Sequence, residues 1–336
     1  MDNPARSALI EQVIAKLCER YIFPELTTRM GATLRARQVD GAYRGLTPEQ
    51  FARTLSDDLY AIAADKHLWV RYREPGGAHG QPPTHEQAAL TNFGFGRVER
   101  LAGNVGCLEL QAIGPPGWVS ARLAAALTLL QDTSALILDL RENGGGYAET
   151  VALVCSYFLP ADPPTLVNTI HYRETDLTEE MWTTADLPGP RYLNRPLYVL
   201  TSNRTFSGAE ELAYNLRHLG RATLIGEATR GGAHPTMTHS LDEDFSVSVP
   251  YARSINPITG TNWEGVGVIP QVRTLAGQAL KTAHLLALEA LLLGPHVPAL
   301  EVEWRETAAT LKAQRVGAGR STAYSQDRAT PLQVIL

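Results

Sequence analysis

The segment Thr201-Ser-Asn-Arg-Thr-Phe-Ser207-Gly-Ala-Glu210-Glu-Leu212 sets a hydroxyl between the apolar run Pro196–Leu200 and a stretch in which Leu212, Ala213, Leu216 and Leu219 recur at helical spacing. A serine at such a strand-to-helix turn lies at a helix N-terminus, where unpaired N–H groups and the positive end of the dipole favour negative charge. The chemistry open to Ser207 is attack on a carbonyl, with an anion site beside it and with Gly208 letting a substrate approach the backbone. Ser207-Gly-Ala-Glu210 is also a capping box, in which the serine oxygen accepts from the third helical N–H. The local sequence is compatible with either role.

Other constellations are weaker. The nine histidines show no His-x-x-x-His spacing and the three cysteines no Cys-x-x-Cys, and His234 and His239 with Asp242 and Glu243 read as loop residues, so no metal is expected. Gly226 to Gly232 lacks the glycine spacing and the lysine of a phosphate loop, so no nucleotide cofactor is expected. A net charge of −5 with scattered basic residues argues against a nucleic-acid partner. No apolar run approaches the ~20 residues of a membrane span, and Met1-Asp-Asn-Pro-Ala-Arg6 does not read as a signal peptide. Cys18, Cys107 and Cys155 are far apart and odd in number and read as reduced, so a cytoplasmic location is the expectation.

The elements that must position Ser207 follow from periodicity. With 336 residues, 44% of them hydrophobic, the chain can build a large core. Leu9, Ile10, Val13, Ile14 and Leu17 share one face of a helix over 6–21, Pro24 restarts a helix, and Thr47-Pro-Glu-Gln50 opens a third through Phe51, Leu55, Leu59 and Ile62. Leu68–Tyr72 alternates like a strand. This gives an N-terminal helical unit ending in a strand (1–75), then a linker (76–91). An α/β core follows over 92–293, with strands at 105–110, 135–140, 196–200, 222–225, 245–249 and 267–269 and helices at 119–130, 149–158, 210–219 and 276–293. Residues 160–195 are too long for an ordinary connection and read as a substrate-side loop or ribbon. The end, 294–336, holds one helix over 301–314 and a polar tail.

Leu138-Asp-Leu-Arg-Glu-Asn-Gly-Gly-Gly146, Ser207-Gly-Ala-Glu210 and Asn262-Trp-Glu-Gly-Val-Gly-Val-Ile-Pro270 together resemble the C-terminal processing (tail-specific) serine peptidases, in the branch of tricorn protease and the interphotoreceptor retinoid-binding protein. The resemblance runs from about residue 5 to 292. It implies an α/β (α+β) fold, a helical N-terminus followed by a β-β-α spiral of the crotonase and Clp-protease kind. It implies Ser207 as nucleophile, Gly145 and Gly208 as oxyanion donors, His67 as base and Glu264 as the acidic residue closing a Ser-His-Ser-Glu tetrad. Gly144 and Lys66 are further candidates at the same motifs.

The departures are informative. Tail-specific peptidases carry their basic lysine in a Gly-Glu-Pro-Thr-x-Gly-Lys pattern, where this chain has Gly226-Glu-Ala-Thr-Arg-Gly-Gly232. No lysine lies between Lys66 and Lys281, so a Ser-Lys dyad of that type is excluded and a histidine base remains. Lys66 stands where the tricorn pattern has a serine before the histidine, and Glu264 is expected to act through Lys66 or water. No segment reads as a PDZ insertion. His67, with a normal pKa near neutrality, suits both the taking and returning of a proton, although a histidine at a helix end can also be a simple cap. Gly144–Gly146 reads as a strand-to-helix turn or as a turn whose N–H meets an oxyanion. Asp139 and Arg141 are expected to pin it.

The expected activity is hydrolysis of a peptide or small amide or ester substrate through an acyl-enzyme on Ser207. Two alternatives stand beside it. One is a non-catalytic binder of a hydrophobic, retinoid-like small molecule. The other is an esterase or acyl transferase using the same oxyanion hole.

Overall fold

Three- and four-residue spacing of Leu9, Ile10, Val13, Ile14 and Leu17 winds the first helix, α1 (Asn3–Arg20), and buries that face. The structure, a computed structural model, describes residues 3–73, 83–295 and 298–313. Helix α2 (Pro24–Val39) starts on a proline, and α3 (Pro48–Ala63) on the expected capping box of Thr47 and Gln50. Ala64 ends α3 in a left-handed conformation, which turns the chain into Asp65-Lys66-His67 and β1 (Trp69–Tyr72).

The helical unit is not closed on itself. β1 pairs antiparallel with β10 (Phe245–Pro250), Trp69 opposite Ser248, and β9 (Thr236–Ser240) continues that sheet. Phe245, Val247 and Val249 complete the apolar cluster of α1, α2 and α3. A strand from the far end of the core thereby fixes the residues just before β1.

The central sheet has the order β12-β8-β7-β4-β3-β2, parallel except for the edge strand β2. Its strands are β2 (Phe95–Leu101), β3 (Val105–Leu110), β4 (Ala135–Asp139), β7 (Leu197–Thr201), β8 (Thr223–Gly226) and β12 (Val272–Arg273). Alternation sends Leu136 and Leu138 into the cluster beneath α5 (Pro116–Leu130), α6 (Ala148–Phe158) and α7 (Gly208–His218). Ala135 and Ile137 go to the opposite face, under α8 (Ala276–Leu293) and α9 (Pro298–Ala313). With both faces covered, the parallel strands are apolar throughout.

The stretch read as a loop or ribbon is a ribbon: β5 (Leu166–Tyr172) and β6 (Leu177–Trp182) are antiparallel, and β11 (Ala252–Ile255) joins β5. The linker assigned to 76–91 contains α4 (His85–Leu90), opened by a capping box of Thr84 and Gln87, while 74–82 lies outside the described residues. No strand forms over 267–269, because Gly267 sits at φ +74° and its N–H closes a turn onto Trp263. The sheet edge falls instead at β12. Gln314 and the polar tail lie outside the described residues.

Candidate active site

At the C-terminal end of β7 the chain turns through Phe206 and Ser207 into α7, the arrangement expected of a nucleophile. Ser207 has φ +52° and ψ −126°, a region a non-glycine residue adopts at a cost of about 1–3 kcal/mol and holds only where the surroundings over-determine it. The surroundings do so through Glu210. This fully buried carboxylate takes the Ser207 N–H at 2.9 Å, the Gly231 N–H at 2.6 Å, the Gly232 N–H at 2.9 Å and the Thr229 hydroxyl. Burial pushes its pKa up to about 7, with those donors opposing the rise. Of the expected capping box the glutamate half is formed, Glu210 accepting from the Ser207 N–H while the serine hydroxyl makes no cap bond, and the same glutamate binds loop 229–232 to the serine turn.

The glycine triplet lies against that turn. A Cβ on Gly145, at φ +106°, would stand 2.7 Å from the Ser207 Cβ, so the backbone approaches the serine as closely as only glycine permits. The Gly145 N–H is committed, however, since it donates to Asn143 Oδ1 at 2.8 Å. It is not the open oxyanion donor that was expected, because the buried Asn143, also donating to the Leu110 carbonyl, satisfies it within the turn. Gly208, the first residue of α7, has an N–H with no carbonyl of its own helix to receive it. Gly144 borders the cleft, with nothing within 4 Å of the position a Cβ would take. Asp139 and Arg141 pin the turn as expected, through paired bonds of 2.9 and 2.6 Å, and Arg141 also reaches the Ala276 carbonyl.

His67 arrives from the helical unit. Its ring stacks on Phe206 with centroids 4.4 Å apart, and it shares with Ser207 a cleft of about 810 Å³. A Cβ at Gly232 would fall on the Phe206 ring and 2.7 Å from His67 Cε1. The position at which the tail-specific pattern places a lysine is therefore empty of side chain, and the imidazole lies against it. Buried His67 Nδ1 has no hydrogen-bond partner among the described residues. Burial holds the His67 pKa down at about 4, although nearby Asp65 acts to raise it.

Glu264 does not meet Lys66 through the ammonium. The Lys66 Nζ donates to the Arg230 carbonyl, whereas Glu264 accepts from the backbone N–H groups of Ala233, at 2.5 Å, and Lys66. Its carboxylate also lies 3.4 Å from His234 Nδ1. Burial, joined by the charge of Asp65, pushes its pKa up to about 7.

Two residues of this junction, Asp65 and His234, escaped the sequence reading as site residues. His234, read there as a loop residue, is 5% exposed and holds Asp65 Oδ2 at 2.7 Å through Nδ1. Asp65 Oδ1 accepts the His67 N–H at 3.0 Å, so one carboxylate binds both histidine segments. Burial acts to lower the His234 pKa, but Asp65 and Glu264 outweigh it and the net shift is upward. Asp65, His234 and Glu264 place donor atoms within 4.8 Å of one another. At 2.7 Å the Asp65–His234 contact is a hydrogen bond, closer than the roughly 3.3 Å separating two ligands of a tetrahedral zinc, so the trio is a hydrogen-bonded cluster as it stands. Phe206 and Asn143 were also missed. The signal available was proximity in sequence: Asp65 lies two residues before His67, and Phe206 immediately before Ser207.

Ser207, on a strained strand-to-helix turn buttressed by a buried carboxylate, and His67, from the N-terminal helical unit, therefore line one cleft. Residues 104–274, just over half of the chain, match the model of peptidase family S41, and the chain belongs to that family. A carboxyl-terminal-processing protease of Synechocystis is 33% identical over 137 residues, covering 40% of this chain and 30% of that one. The matches to the curated relatives span between 27% and 35% of the relatives' lengths. Among solved structures, a protein from Parabacteroides merdae superposes with a TM-score of 0.59 at 17% identity, covering 83% of this chain and 92% of its own. The photosystem II D1 C-terminal processing protease gives 0.52 at 16%, covering 88% and 99%. These likenesses bear on the fold, which is that of the S41 peptidases.

Proposed function

We propose that this chain is a serine-type peptidase that cleaves peptide or amide bonds through an acyl-enzyme on Ser207, with His67 as general base. The observation that carries the reading is the exchange at Gly232: no lysine is there, and the space beside it holds the His67 ring. His67 accepts the hydroxyl proton as Ser207 attacks the carbonyl carbon, and the oxyanion forms toward the first turn of α7 and the Gly208 N–H. The tetrahedral species collapses as His67 returns the proton to the leaving nitrogen, which breaks the C–N bond. Water then repeats the sequence on the ester and frees Ser207. Burial keeps His67 unprotonated at neutral pH, and nearby Asp65 opposes the loss of basicity that burial brings. His234, held between Asp65 and Glu264, positions the His67 segment.

The S41 relatives' description as carboxyl-terminal-processing enzymes supports a peptide substrate. Three free cysteines, two of them buried, support a reducing compartment such as the cytoplasm. Among the described residues no helix is long and apolar enough to cross a membrane. The test is a fluorophosphonate probe with intact-mass measurement. A single adduct on Ser207 is expected, and it disappears in Ser207→Ala. A protein that takes no adduct across pH 5 to 9, or a Ser207→Ala variant that hydrolyses peptides at the parent rate, overturns the reading.

A further inference from the structure

Ser207 borders a second pocket, of about 330 Å³, on the side away from the helical unit. Its walls come from α6, α7, the β5–β6 ribbon and the start of β11, and include Tyr172, Tyr251, Met181 and Trp263. The Tyr172 and Tyr251 rings stack 6.0 Å apart. Glu211, one turn along α7 from Ser207, lines the same pocket. Its side chain is 4% exposed, and its Oε1 is buried without a hydrogen-bond partner among the described residues.

The charges around this pocket have mostly one sign. Glu149 stands at the rim, and Glu179 accepts the Tyr172 hydroxyl at 2.8 Å. Burial raises the pKa of Tyr172 and Tyr251, and Glu179 and Glu149 push both further up. Burial pushes Glu211 up to about 8, with Glu149 adding to the rise and the nearby Asn168 and Asn215 opposing it, so near neutral pH it releases its proton to solvent as a cation arrives beside it. Among the described residues lining the pocket the basic side chain is His234, already held by Asp65 and Glu264. An apolar, aromatic pocket with a buried carboxyl lacking a partner at one oxygen matches a cation on an aliphatic stem, which gains aromatic faces and a counter-ion together.

We propose that this pocket is a specificity site for the side chain of a lysine or arginine next to the scissile bond, with Glu211 as its counter-ion. The proposal rests on Ser207 as nucleophile, and its test separates the two. Matched peptides differing at one residue, arginine against citrulline and lysine against norleucine, are compared by kcat/KM with the parent protein and with Glu211→Gln. The parent is expected to prefer the charged residue at least tenfold, and Glu211→Gln to bring that ratio close to one. Glu149→Gln, at the solvent-exposed rim, is expected to lower the ratio two- to threefold and serves if Glu211→Gln fails to fold. Binding of the same peptides to Ser207→Ala, by calorimetry, reads the pocket without turnover and should keep the preference. Equal affinity for charged and neutral peptides there, or a ratio unchanged in both glutamine variants, overturns the assignment. A charge preference in binding without any adduct on Ser207 would leave the pocket standing and remove the nucleophile.

Discussion

The two buried histidines of the site sit in neighbouring regions and in opposite electrical surroundings. His67 has an aromatic ring against its face, an unpartnered buried nitrogen and a pKa held down at about 4. His234 has a carboxylate at 2.7 Å, a second at 3.4 Å and a pKa shifted upward. The difference separates their tasks. A neutral imidazole in a cleft with a serine can accept a proton, and an imidazole held between two carboxyl groups can tie segments together. Asp65 touches both regions, since it bonds His234 through one oxygen and the His67 backbone through the other.

The largest effects test that division. Ser207→Ala and His67→Gln should each lower kcat by about 10³-fold or more, as removal of a nucleophile or its base does. His234→Gln should lower it far less in protein that remains folded. Steady-state kinetics on one peptide series decides the matter, and a reversed order would make His234 the base.

Stability should rank the other way. Removing one partner of a buried ion pair leaves the other uncompensated, so Asp65→Ala should lower unfolding free energy by about 3–5 kcal/mol in urea titrations. His67→Gln should change it much less. Gly232→Ala comes next, at about 1–3 kcal/mol, because the added methyl must displace Phe206 or His67. A circular-dichroism melt together with turnover would detect both consequences, and full activity in Gly232→Ala would show that the His67 position is not critical.

The smallest and sharpest test is the dependence on pH. A histidine with a lowered folded pKa binds its proton more readily when unfolded, so the His67 contribution falls as pH drops from about 6.5 to about 4. His234 has a raised folded pKa, so its contribution is complete below 6.5 and is lost as pH rises through its folded value. Melting temperature against pH should therefore lose its acid-side slope in His67→Gln and its neutral-side slope in His234→Gln. In kcat/KM, the acid limb that belongs to His67 should lie well below pH 6.5.

Much of this molecule was legible in the sequence because periodicity records burial. The face of α1, the capping box of α3 and the whole of α8 follow from local spacing, and Ser207 stood out by its place between an apolar strand and a helix. Gly232 was informative through the lysine it replaces. What remained hidden depends on contacts distant along the chain. His234 looked like a loop residue because its partner, Asp65, lies 169 positions away. The committed N–H of Gly145 depends on the rotamer of Asn143, which no motif reports. Strand β2 was missed because it is an edge strand whose residues are mostly exposed, so its pattern resembles a loop. The false strand at 267–269 shows the reverse, since apolar spacing gave no sign that Gly267 has a positive φ.

The antiparallel ladder between β1 and β10 also sets when the cleft of Ser207 and His67 can assemble. Ser207 and Glu210 belong to the core, but the histidine segment is anchored by residues 245–250, which leave the ribosome after the serine does. A nascent chain ending before β10 holds Ser207 without a docked His67 segment, and so does a proteolytic fragment cut between the two. The cleft that Ser207 and His67 share is complete only in a molecule whose beginning has closed onto its later half.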